Sequence, residues 1–168
     1  VRNQKIIDMT KDDSILGHFP DNFEVSLSSS NSFSAHRRTL PFSQYLQELL
    51  ATPDTLPHQL SNETWYLFGE TYGLEWHEAL LQHYVLPPCQ VCGDNVALSF
   101  GMGNSGSGVQ WHTHGPGFSE TLHGRKHWIL YPASTKKSTM GYHADQSSRN
   151  WMETIYPFLP TNDKPWEC

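Results

Sequence analysis

The chain has 168 residues, enough for one domain with its own core and too few for two of ordinary size. A formal charge of −6 and a pI near 5.9 argue against a nucleic-acid binder, which needs a basic face; Arg37-Arg38 and Lys136-Lys137 are too short to supply one. No apolar run approaches a membrane span and no signal peptide is visible, although a start at Val1 reads as an internal fragment.

In chain order, Ser26–Ser34 reads as a loop or edge strand. Thr39–Leu50 has the strongest helical pattern. Pro41 suits the first turn, and Phe42, Tyr45, Leu46, Leu49 and Leu50 recur at helical spacing. Residues 51–61 are polar and Pro-containing, hence loop; Trp65–Phe68 reads as a short buried strand ended by Gly69. Leu74–Tyr84 is a second helix, with Leu74, Leu80, Leu81 and Tyr84 near one face, stopped by Pro87-Pro88. Val96–Gly101 follows as a strand and Gly101–Gly108 as a glycine-rich turn. That turn is not a phosphate loop, because no Lys-Ser/Thr and no helix follow it.

From residue 109 the apolar period shortens to two. Val109, Trp111 and Thr113 face one way, and Gln110, His112 and His114 the other. Phe118–Leu122 and Lys126–Tyr131 read as strands joined by a turn at His123-Gly124. Ser147–Tyr156 is a helix capped by Ser147 or Ser148, with Trp151, Met152 and Ile155 toward the core. Helices first and short strands after predict a mainly β protein with helical decoration (α+β), a sandwich or barrel. Residues 1–168 form one domain, with a helix-rich part over 1–95, barrel strands over 96–132, and a loop and helix over 133–168.

The chemistry centres on His112 and His114. Alternate residues of a strand project to one side roughly 6–7 Å apart, so two imidazoles there can lean toward one metal ion. A His-x-Asp/Glu pair with a distant histidine makes the facial triad of non-haem iron oxygenases; His-x-His supplies nitrogen ligands alone. The competing interpretation is a polar barrel interior in which the histidines only hydrogen-bond. Cys89-Gln-Val-Cys92 follows two prolines in a loop, where a disulfide, free thiols and a metal site all remain open; Cys168 makes the cysteine count odd. Asn62-Glu63-Thr64 is a glycosylation sequon, meaningful on entry to the secretory pathway.

Residues 108–132, GVQWHTHGPGFSETLHGRKHWILYP, resemble the core of a JmjC domain, and Gly124-Arg-Lys-His-Trp-Ile-Leu-Tyr-Pro132 is the most specific part. The resemblance runs from about Leu27 to the end of the chain. It implies a cupin-type double-stranded β-helix, incomplete at the C-terminus, with the closing strands and their distal histidine falling after Cys168. It also implies Fe(II) and 2-oxoglutarate as cofactors. On this resemblance His112 stands at the first iron-ligand position, and His114 stands where the family has an acid. Lys126 stands at the lysine that pairs with the co-substrate's distal carboxylate, on a face shared with Trp128 and Leu130. An imidazole in place of the acid removes negative charge that favours iron oxidation, and Glu120 is the nearest carboxylate able to replace it. His123, His127 and His143 read as surface or capping groups.

Three functions follow. The first is a regulatory, protein-interaction module of the secretory pathway with a non-standard metal site. The second is an Fe(II)/2-oxoglutarate-dependent protein hydroxylase, and the third a cupin-like metal protein of other chemistry. The resemblance to JmjC-only members further implies a glycoprotein of the endoplasmic-reticulum lumen, a regulator of signalling, with a protein partner or protein substrate.

Overall fold

The structure, a computed structural model, describes residues 2–29, 37–50, 65–68, 71–88, 96–109, 111–113, 115–136, 139–141 and 148–168. It is a mixed α/β arrangement with small antiparallel sheets. The larger sheet has three strands in the order β2-β1-β3: β1 is Glu24–Ser29, β2 is Arg37–Pro41 and β3 is Trp65–Leu67. β1 is central. Val25 lies opposite Leu40 and Leu27 opposite Leu67, so one face of all three strands turns inward. The Ser-rich stretch therefore begins in a buried central strand, where an edge strand or loop was predicted. Its serines alternate with Val25 and Leu27, which are 3% and 0% exposed.

α1 (Gln4–Met9) and a 3₁₀ segment (Asp12–His18) lie before the sheet, and neither announces itself by a strong apolar period. They contribute Ile6 and Ile15 to the core, with Phe19 just beyond. The predicted helix over Thr39–Leu50 begins later. Thr39–Pro41 complete β2, α2 spans Phe42–Gln44, and a wider π turn follows over Tyr45–Leu50. Phe42 and Tyr45 are buried as the periodicity predicted, and the Tyr45 hydroxyl donates to the Met102 carbonyl at 2.8 Å.

α3 (Leu74–Ala79) opens at Gly73 and gives way to a 3₁₀ turn over Leu81–His83. Leu80 and Leu81 are buried, but Leu74 is exposed and Trp76 takes the inner position. Trp76 and Leu80 lie four residues apart, on one helix face. The Trp76 ring meets Phe19 edge-on at 4.8 Å and stacks on Phe100 at 5.9 Å, at the centre of the main core.

The strands expected over Val96–Gly101, Val109–His114 and Phe118–Leu122 are absent among the described residues. Alternation marks two faces but does not supply a ladder partner. Residues 96–100 dock instead through Thr71, whose hydroxyl donates to the Phe100 carbonyl at 2.5 Å and accepts the Phe100 N–H at 2.9 Å. Met102 alone forms a bridge, exchanging two backbone hydrogen bonds with Leu67. Of Lys126–Tyr131 only β4 (Ile129–Leu130) is a strand, and it pairs with β5 (Trp166–Glu167) near the end of the chain, not with 118–122.

α4 (Ser148–Thr154) matches the predicted last helix. Trp151 is 1% exposed, its indole N–H donates to Met140 O at 2.6 Å, and its ring packs edge-on against Trp111 at 5.1 Å. This second aromatic cluster, with Tyr131 and Tyr156, stands apart from the main core. The main sheet, predicted over 96–132, thus lies instead before residue 68. A complete double-stranded β-helix is not seen among the described residues.

Candidate functional site

His112 is exposed, on a non-strand segment. His114, His143, Asn62, Cys89 and Cys92 lie outside the described residues, and with them the predicted histidine pair, glycosylation site and cysteine pair. Among the described residues no group of three His, Cys, Asp or Glu side chains could hold a metal ion. Cys168 is a free, exposed thiol. Trp111, predicted to face the core, is half-buried between Tyr131 and Trp151.

Glu120, the nearest carboxylate after the histidine pair, is hydrogen-bonded toward the N-terminal helix. One of its carboxylate oxygens accepts from Tyr84 Oη at 2.6 Å and Asn3 Nδ2 at 2.8 Å, with Arg2 at 4.0 Å. Burial, then the Glu120 hydrogen bond and charge, push the Tyr84 hydroxyl up to about 12.

His123 lies in the predicted turn beside Gly124, whose φ of +77° is left-handed. Its Nε2 sits 3.0 Å from the Ile7 carbonyl and 2.9 Å from Thr10 Oγ1. A carbonyl can only accept, so Nε2 carries a proton and donates there. Thr10 spends its own hydroxyl proton on Ile6 O at 2.7 Å. His123 is thus a cap for the last turn of α1, in keeping with the sequence reading. His127 turns to Glu167, Nε2 to Oε2 at 3.0 Å. Tyr156 donates to the other oxygen of the same carboxylate. That hydrogen bond is the main reason the Glu167 carboxyl lies below its ordinary value.

Lys126 is differently placed. Its ammonium lies 4.3 Å over the Trp128 ring and donates to Ser119 Oγ at 3.2 Å; no carboxylate pairs with it among the described residues. The side chain is exposed along much of its length, yet burial around the ammonium holds its pKa below the ordinary lysine value.

The register of β4 and β5 extends this face. Leu130 opposes Trp166, and Trp128 exchanges backbone hydrogen bonds with Cys168 at 2.7 and 3.1 Å. Lys126, Trp128 and Leu130 therefore follow one another at strand spacing, as alternation predicted. Trp128, Leu130 and Trp166 are 41%, 42% and 72% exposed, and together they form an apolar face with a cation at one end. Ser119 becomes a site residue only through its contact with Lys126. No motif marks it.

Over nearly its whole length the chain is similar to proteins named JmjC domain-containing protein 8. Relatives that it matches include JmjC domain-containing protein 8 of Mus musculus and of Rattus norvegicus. Each is 40% identical over 166 residues, 99% of this chain and 59% of the relative. The same protein of Homo sapiens is 41% identical over 156 residues, 93% of this chain and 56% of the relative. The chain thus spans well under two thirds of these relatives. No protein-family model and no solved structure matches it. Among the described residues no helix is long and apolar enough to cross a membrane.

Proposed function

We propose that this chain is the core of a JmjC-type, cupin-like regulatory protein of the secretory pathway, residing in the endoplasmic-reticulum lumen and acting through protein contacts. One observation carries the reading. The face formed by Trp128, Leu130 and Trp166 is apolar and exposed, and it ends in a lysine with no carboxylate partner among the described residues. Such a face suits a partner that brings apolar groups and a carboxylate. Glu120 points the same way. It is the first acid after the histidine pair, and the engagement of one of its oxygens by Tyr84 and Asn3 supports a nitrogen-only ligand set at 112 and 114. Asn62 as a glycosylation site, and Cys89 with Cys92 as a disulfide, complete the secretory reading.

The second reading is an Fe(II)/2-oxoglutarate-dependent protein hydroxylase, and Lys126 favours it. Its ammonium, held by the Ser119 hydroxyl and beside the Trp128 ring, fits the distal carboxylate of 2-oxoglutarate. The metal fits less well. The described residues offer one imidazole, His112, and His114 would supply the second in a site lacking the family's acid. Iron held there would supply dioxygen activation.

Fe(II)-dependent 2-oxoglutarate turnover by the full-length protein, with His112→Ala as control, decides between the two. The regulatory reading expects no turnover above the variant. Turnover that His112→Ala abolishes would replace it with the hydroxylase.

A further inference from the structure

The segment that carries Ser119 and leads to Lys126 is fastened to the N-terminal helix at two points. At one, Asn3, only 1% exposed, makes three side-chain hydrogen bonds. Its Oδ1 accepts the Val85 N–H at 2.8 Å, while Nδ2 donates to the Val85 carbonyl at 3.2 Å and to Glu120 at 2.8 Å. Tyr84 holds the same Glu120 oxygen, and the Tyr84 ring stacks on Phe118 at 6.4 Å. At the other, His123 caps the Ile7 carbonyl. The two anchors, Glu120 and His123, are three residues apart. Ser119 adjoins the first and Lys126 lies three residues beyond the second, and these two meet at 3.2 Å.

We propose that Asn3 and Glu120 are positioning residues for the Lys126 anion site, so that docking of the N-terminal helix holds Ser119 against the lysine. This rests on the reading of Lys126 as a carboxylate-binding group. The physical reason is one of chain geometry. Glycine and proline at Gly115-Pro116-Gly117 leave the segment before Phe118 without a ladder, and among the described residues no backbone pairing fixes 118–122. The side-chain anchors do that work. Releasing them frees Ser119 to leave and exposes more of the ammonium to water.

The test uses the full chain with Asn3→Ala, Glu120→Ala, Glu120→Gln, Tyr84→Phe and Lys126→Ala. The Lys126 side chain is titrated by NMR, and 2-oxoglutarate is the binding probe. Glu120→Ala and Asn3→Ala are expected to move the Lys126 titration up toward the ordinary lysine range. They should also weaken the probe roughly tenfold, the scale of one charge-assisted hydrogen bond. Glu120→Gln keeps an acceptor oxygen for Asn3 and Tyr84 and should retain the native titration. If Asn3→Ala or Glu120→Ala fails to fold, Tyr84→Phe, which removes a single bond to Glu120, reads the same shift in smaller measure. A Lys126 titration unmoved in every folded variant overturns the positioning role. Equal probe binding by the native chain and Lys126→Ala overturns the carboxylate reading and leaves the titration to judge the anchors.

Discussion

Tyr84 shows how one side chain can report the whole N-terminal clamp. Its hydroxyl is raised from 10.0 to about 12 by burial and by Glu120. A group whose pKa is higher folded than unfolded adds stability that is complete below the unfolded value. That stability fades as pH climbs toward the folded one, because the unfolded phenol ionises first. The urea midpoint should therefore hold to about pH 10 and fall between about pH 10 and pH 12. Tyr45, raised by its own burial, adds to the fall. Tyr84→Phe should flatten the profile in part; an unchanged slope in that variant would mean that the hydroxyl is not held as described. None of this was legible beforehand. Asn3, Tyr84 and Glu120 are ordinary polar residues in sequence, and Asn3 meets Glu120 across 117 positions.

At the scale of elements, the turns were easier to read than the ladders. Gly124 was placed in a turn from its context, and its φ of +77° is one that L side chains rarely adopt. Gly141 has φ +59°, and a Cβ there would also stand 2.5 Å from Ile155 Cγ2, beyond the end of α4. At Gly124 the space is open. Gly141→Ala should thus cost more than Gly124→Ala, which bears only the left-handed backbone cost of about 1–3 kcal/mol. Paired thermal melts measure the difference, and equal costs would show that Ile155 gives way freely. The helix at Ser148–Thr154 and the strand at Trp65–Leu67 follow their apolar patterns, while the helix at Leu74–Ala79 forms where predicted but turns Trp76 inward in place of Leu74. The alternation from Val109 misled because period two requires only two unlike faces, and the strand expected over 118–122 instead presents Phe118 and Glu120 to Tyr84.

In the whole molecule two apolar clusters do different work. Leu27, 0% exposed, sits in the main core between β2 and β3, while Trp151 holds the C-terminal aromatic group outside it. Leu27→Ala should cost about 2–5 kcal/mol and Trp151→Ala about 3–5 kcal/mol. Their patterns should differ in native-state hydrogen exchange. Trp151→Ala is expected to weaken protection at Trp128 and Cys168 and spare that at Val25 and Leu27. Uniform loss across both sheets would show that the clusters open as one unit.

By itself the sequence determined several local features. These are the glycine turns, the strand at Trp65, two helices and the burial of Phe42, Tyr45 and Trp151. Together with its JmjC-like string it also singled out His112, His114 and Lys126. Each follows from chain-local physics, the side-chain period and the steric freedom of glycine. Only the tertiary structure decided which strands pair, that the Ser-rich stretch is central, that Glu120 joins Asn3 to Tyr84, and that Ser119 meets Lys126. Those outcomes depend on partners far along the chain, and a residue's own type does not say which distant group will satisfy it.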